Sequence, residues 1–199
     1  MPSSSELRLV LATHNPHKVK EVGRILVPYG VAVEPLPERV KLPPEDGETF
    51  AENAFGKARA AAAGTGRVAI ADDSGIEAEA LGGAPGVRSA RYAGANASDF
   101  ENLEKLIREV PPGTGLRYVC ALAYVDPRAG GERMFLGECR GHMAAGTAGS
   151  GGFGYDPVFV AQERDGERTM AELSESEKDA ISHRGRAVRE LAGWLREET

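Results

Sequence analysis

At 199 residues, 41% hydrophobic and 27% charged, the chain has the size and balance of one globular domain with a sizeable core. Its formal net charge of -6 argues against a nonspecific nucleic-acid binder or a protein that coats an anionic membrane. It leaves room for an anionic small substrate, because a basic cleft can sit on an acidic protein. No stretch approaches the roughly 18 apolar residues of a membrane span. Met1–Glu6 lacks the basic and apolar regions of a signal peptide, so the cytoplasm is the expected location. Cys120 and Cys139 make no metal-ligand spacing and read as reduced core residues.

Leu7 to Ala12 reads as a first strand buried on both faces. Asn15 is a good N-cap and Pro16 a good first helical residue; Val19, Val22 and Leu26 follow at helical spacing. Val31-Ala32-Val33 suggests a second strand, and Pro35, Pro37, Pro43 and Pro44 mark a loop. Thr49 and Glu52 form a capping box that opens an Ala-rich helix to about Ala63. A short apolar run, Val68-Ala69-Ile70, leads into Ala71-Asp72-Asp73-Ser74-Gly75, and a glycine-rich loop, Gly82 to Gly86, follows. Ser98 and Glu101 form a second capping box, before a helix carrying Leu103, Leu106, Ile107 and Val110. Tyr118 to Val125 and Arg133 to His142 look like strands joined through Gly130-Gly131. Gly146 to Tyr155 is glycine-rich, Val158-Phe159-Val160 a short strand, and a helical pattern runs from Glu175 to the end. The alternation predicts a single α/β domain over 1–199, with a mixed central sheet and flanking helices. The 40s loop and the middle hairpin are expected to divide it into two lobes with an active-site cleft between them.

The chemistry concentrates in a few segments. Two carboxylates at a strand's end are costly to bury without a cation, which can be a metal, an arginine or a lysine. Glu45 and Asp46, in the Pro-rich loop, could complete an oxygen-rich site with Asp72 and Asp73, suited to Mg²⁺ or Mn²⁺ rather than zinc. Thr13-His14-Asn15-Pro16-His17-Lys18 is a strand-to-helix turn, where backbone N–H groups and the helix dipole favour phosphate. Glycines around Phe153 would let backbone approach a ligand, with the ring as a face for a nucleobase. Lys178, His183 and Arg184 gather donors at a helix start. Each segment alone also has an ordinary explanation: a capped helix, solvated loop charges, a tight turn around a core aromatic, a solvated basic turn. Together they describe a pocket for a metal–nucleoside triphosphate. Neighbouring residues on a strand face opposite ways, so only one of Asp72 and Asp73 is expected to face the ligand directly.

On these residues the chain resembles the inosine/xanthosine triphosphate pyrophosphatases. The matching segments are Leu11 to Lys18, Thr49 to Ala54, Ile70 to Gly75, Leu81 to Tyr92, Gly149 to Phe159, Thr169 to Leu173 and Lys178 to Arg184. The resemblance implies a two-lobed, usually homodimeric enzyme. Such an enzyme uses Mg²⁺ to hydrolyse ITP, dITP and XTP to the monophosphate plus pyrophosphate, cleansing the nucleotide pool and preventing misincorporation into DNA and RNA. It implies triphosphate contacts from Thr13, His14, Asn15, Pro16, His17 and Lys18, a metal site at Glu45 and Asp73, and Asp73 as proton acceptor. It further implies substrate contacts from Ser74, Phe153, Gly154, Tyr155, Asp156, Lys178, His183 and Arg184. The competing readings are a pyrophosphatase for modified pyrimidine triphosphates, as in the septum-formation inhibitor relatives, and a nucleotide sensor without catalysis.

Overall fold

The structure, a computed structural model, describes residues 7–163 and 166–198; the expectation about Met1–Glu6 lies outside them. Six strands form one mixed sheet in the order β2-β1-β3-β4-β5-β6. They are β1 (Leu7–Leu11), β2 (Val31–Pro35), β3 (Ala69–Ala78), β4 (Gly115–Asp126), β5 (Gly131–Met143) and β6 (Phe159–Ala161). β1 pairs in parallel with β2 and with β3, whereas β5 and β6 are antiparallel. Parallel neighbours need a crossover, which α1 (Pro16–Leu26) supplies between β1 and β2, and α2 (Phe50–Thr65) lies between β2 and β3 in the chain. The remaining helices are α3 (Asp99–Glu109), α4 (Glu175–Ile181) and α5 (His183–Glu197). Among the described residues no helix is long and apolar enough to cross a membrane.

The chain divides into two compact units. One comprises the chain up to Asp73, Ala121–Leu136 and the residues from Ala187 onward; the other comprises Ser74–Cys120 and Gly137–Arg186. The chain passes from one unit to the other four times, at Asp73–Ser74 in β3, Cys120–Ala121 in β4, Leu136–Gly137 in β5 and Arg186–Ala187 in α5.

The first unit is built on small side chains. Val10 and Ala12 pack with Ala69 and Ala71 of β3, with Ala121, Ala123 and Val125 of β4, and with Ala54, Ala58, Ala61 and Ala62 of α2. The every-second-residue pattern on β3 and β4 places these residues on one sheet face. The 54, 58, 61 pattern on α2 is one helical stripe. Alanine on both surfaces lets the helix lie close to the strands. The expected capping box holds: the Thr49 hydroxyl accepts from Glu52 N–H, and Glu52 reaches back to Thr49 N–H.

The second unit is built on large ones. Ile76, Leu103, Leu106, Val110, Leu116, Tyr118, Met143, Tyr155, Phe159 and Met170 share its core, with the Cys139 thiol among them. Burial pushes that thiol up to about 12, which keeps it protonated and unreactive. Cys120 is also buried. α3 carries the expected Ser98–Glu101 box. Two further boxes, Thr169–Glu172 and Ser174–Glu177, start the next helical turns.

The C-terminal segment differs from the unbroken helical pattern expected from Glu175. The helix stops at Ile181, and Ser182 is extended (φ -64°, ψ 152°) before α5 begins. The Ser182 hydroxyl accepts from Gly185 N–H at 3.0 Å, as an N-cap does. Helical periodicity did not reveal the break, because hydroxyl capping by Ser182 depends on local dihedrals rather than on hydrophobic spacing. Gly185 lies so close to α4 that an added Cβ would run into the Asp179 carbonyl oxygen. We predict that Gly185→Ala forces these two backbones apart and costs about 2 kcal/mol. Thermal unfolding should then show a fall of roughly 4–8 °C in Tm.

Candidate active site

β3 runs through both aspartates without a break, so they face opposite sides. Asp73 continues the Ala69–Ala71 face, the one that carries α2. α2 presents two polar residues there, Asn53 and Lys57, one helical turn apart and inside the alanine stripe. Both are buried. Asn53 Nδ2 donates to Asp73 Oδ2 at 2.8 Å, while Asn53 Oδ1 accepts from Gly47 N–H at 2.9 Å. One side chain thereby ties the Pro-rich loop to the strand. Lys57 Nζ donates to the Asp72 carbonyl at 2.8 Å and to Glu45 Oε1, and lies 4.0 Å from Asp73 Oδ1. Of the two loop acids, Glu45 is half-buried and turned to this group, while Asp46 is exposed.

Asp72 faces the other way and is completely buried. Lys18 Nζ of α1 meets its Oδ2 at 3.0 Å and its carbonyl oxygen at 3.4 Å. The two lysines thus approach the same peptide carbonyl. The electrostatics follow from this packing. Burial pushes the Asp73 carboxyl above its ordinary value, and Glu45 adds to the rise; Lys57, Asn53 and Lys18 pull against it. Burial pulls Lys57 down, but Asp72, Glu45 and Asp73 overcome it, so its ammonium is held above the usual lysine value and stays charged.

The turn before α1 is ordered from within. Thr13 Oγ1 accepts from Asn15 N–H at 3.1 Å; Asn15 Oδ1 accepts from His17 N–H at 2.9 Å and from Lys18 N–H at 3.4 Å. Two N–H groups of the expected phosphate cradle are therefore engaged by the cap. His14, Pro16 and His17 are exposed at the helix start.

The other expected residues gather in the second unit. Asp156 is buried and accepts three hydrogen bonds: from Lys178 Nζ at 2.6 Å and Phe153 N–H at 2.9 Å, both to Oδ2, and from the Tyr118 hydroxyl at 3.2 Å to Oδ1. Gly152, at φ +68°, makes this turn possible, because a Cβ there would strike the Asp156 carboxylate. Gly154 also has positive φ, +61°. Lys178 Nζ lies 5.0 Å from the Phe153 ring centre and Arg184 Cζ 5.6 Å from it, so two cations lie against one aromatic ring. Arg184 is almost fully buried and donates to Ser74 Oγ at 3.3 Å. The His183 ring stacks on Tyr118, with centres 4.5 Å apart and planes 9° apart. Tyr155 is engaged elsewhere: its side chain is in the core and its hydroxyl donates to the Ser89 carbonyl at 2.7 Å.

Sequence reading missed Asn53, Lys57 and Tyr118 as members of these groups. For the α2 pair a signal existed: two polar residues four apart on the apolar stripe of an Ala-rich helix. Tyr118 carried no such signal, since an aromatic in a strand reads as core.

The Ham1 family model matches residues 9–194. The chain belongs to the Ham1 family. It is 49% identical to the dITP/XTP pyrophosphatase of Frankia alni, over 96% of this chain and 98% of that protein. It is 46% identical to the dITP/XTP pyrophosphatase of Yersinia pseudotuberculosis, with the same coverage of each. Among solved structures, a HAM1 protein from Coxiella burnetii superposes with a TM-score of 0.83 at 40% identity, covering 96% of this chain and 99% of that one. The Staphylococcus aureus Ham1 protein does so with a TM-score of 0.81 at 36% identity, covering 96% and 100%. The mixed α/β sheet expected from sequence is thus the Ham1 fold.

Lys57 is the group on which the first unit's carboxylates rely. Lys57→Met should lower stability at neutral pH by about 2–3 kcal/mol, less than a fully dry pair because Glu45 is partly exposed. Adding Asp73→Asn should recover part of that loss. Chemical denaturation of the single and double variants measures both effects.

Proposed function

We infer that this Ham1-family protein hydrolyses the non-canonical purine nucleoside triphosphates ITP, dITP and XTP to the monophosphate and pyrophosphate. The observation that carries the reading is Asp73: a buried carboxyl held above its ordinary value, bonded to Asn53 and near Lys57. It stands in a chain 49% identical to a dITP/XTP pyrophosphatase.

Asp73 is the proton acceptor for the attacking water. A raised carboxylate value makes it a stronger base. Asn53 holds one of its oxygens, which aims the other. Lys57 and Lys18 offset the negative charge of the phosphates, and the capped start of α1 adds the positive end of its dipole. Lys178, His183 and Arg184 supply donors for the 6-oxo group that inosine and xanthosine carry in place of the adenine amine, and an amine there leaves those donors without an acceptor. Phe153 offers the ring face for the base.

Mg²⁺ is the proposed cofactor, with Mn²⁺ able to use the same oxygens. Among the described residues no three His, Cys, Asp or Glu side chains converge as a metal cage. Glu45 and Asp73 would hold the ion as a carboxylate pair, leaving other positions to phosphate oxygens and water, which suits magnesium's coordination habits. Bound there, it neutralises charge on the phosphoanhydride that breaks. We also propose that the protein acts in the cytoplasm and as a homodimer, the setting and assembly the resemblance implies; sedimentation at micromolar concentration tests the latter.

Incubation of purified protein with ITP and Mg²⁺ should yield IMP and pyrophosphate. Orthophosphate with a diphosphate product would contradict the reaction, and faster turnover of 5-methyl-UTP than of ITP would contradict the purine assignment. Asp73→Asn should lower turnover by about 10³-fold while ITP still binds in calorimetry; turnover near the wild-type rate removes Asp73 from the role of base.

A further inference from the structure

Tyr118 lies on β4 in the core of the second unit and is 6% exposed. It nevertheless touches two polar groups. Its ring stacks nearly parallel on the His183 imidazole, and its hydroxyl bonds Asp156 Oδ1. On its other contacts it is apolar: the Phe159 ring centre is 4.5 Å away at a 33° tilt. Asp156 in turn binds Lys178 Nζ and the Phe153 N–H through Oδ2. One buried side chain therefore meets the holder of Lys178 and one face of His183.

We propose that Tyr118 is a positioning residue for purine recognition: its ring sets the plane of His183, and its hydroxyl steadies the carboxylate that holds Lys178. The inference rests on the purine-triphosphate reading above and deepens it. The chemistry supports the assignment at both contacts. Asp156 is buried and needs donors on both oxygens. Lys178 and the Phe153 amide take one oxygen, and Tyr118 serves the other. Burial and the neighbouring Asp156 hold the phenol well above its usual value, so it remains a donor at any pH at which the enzyme works. Stacking leaves the edge of the imidazole, where its nitrogens lie, as the part open to polar partners. Phe159 packs against the same tyrosine and restrains it, as a residue that orients others requires. Tyr118 need not touch the substrate; it acts through Asp156 and His183.

The two contacts can be separated by substitution. Tyr118→Phe preserves shape and stack and removes only the hydroxyl. It should raise KM for ITP about fivefold, with kcat changed less than twofold. Tyr118→Leu removes the stack as well and should raise KM about tenfold further, with a fall in the preference for ITP over ATP. In a Lys178→Met background, Tyr118→Phe should add less than twofold, because the route it acts through is already gone. A purely structural tyrosine would lower Tm and leave KM, the ITP/ATP ratio and this coupling unmoved; that result, or additive effects with Lys178→Met, overturns the proposal. Should Tyr118→Leu fail to fold, Tyr118→Phe decides on its KM and kcat alone. If the wild-type protein neither binds nor hydrolyses ITP, the purine reading itself falls and this inference with it. If the wild type does both and Tyr118→Phe behaves like it, only this inference falls.

Discussion

The ammonium of Lys57 is the point on which the first unit's chemistry depends. Glu45 comes from a loop, Asp72 contributes a backbone carbonyl, and Asp73 a side chain; all three face one buried charge. Without it, the Asp73 and Glu45 carboxylates would concentrate negative charge where water is scarce. With it, the loop, α2 and β3 are held to one another, and the rise that burial imposes on the Asp73 carboxyl is opposed.

The alanine packing underneath explains why Lys57 can stand there at all. Ala54, Ala58, Ala61 and Ala62 bring α2 close to Ala69 and Ala71. A long polar side chain on that stripe then has a short reach to Asp73 on the strand. Larger residues would lift the helix and leave the aspartate without its partners. In the second unit the controlling feature is backbone proximity instead. The turn at Gly152 wraps onto Asp156, and the break at Ser182 lets α5 start close against α4. These two local conformations place Phe153 in a turn and His183 and Arg184 at a helix start, while Lys178 stands at the centre of α4.

Much of this was legible from residues alone. Strand alternation separates Asp72 from Asp73, and the structure turns them to opposite faces, with Lys18 on one and Lys57 on the other. The Thr49 and Ser98 capping boxes were visible because they use fixed local spacing. The Ser182 break was not, because the hydrophobic repeat continues across it. The role of Asp156 as acceptor of three hydrogen bonds was not legible, since its donors come from residues 38 and 22 positions away as well as from Phe153.

The sequence by itself determined the chemical types: clustered carboxylates rather than a Cys/His set, a capped helix start beside a lysine, an aromatic between glycines, and a basic group near the C-terminus. It also determined the alternating pattern that the Ham1 fold requires. Only the tertiary structure decided which cations answer the paired aspartates, Lys18 for Asp72 and Lys57 for Asp73, because a lysine from a separate helix has no spacing signature relative to the strand it serves. Only the tertiary structure separated Tyr155, drawn into the core, from Tyr118, drawn to Asp156 and His183. Strand periodicity says which side a residue faces, and packing decides what it meets there.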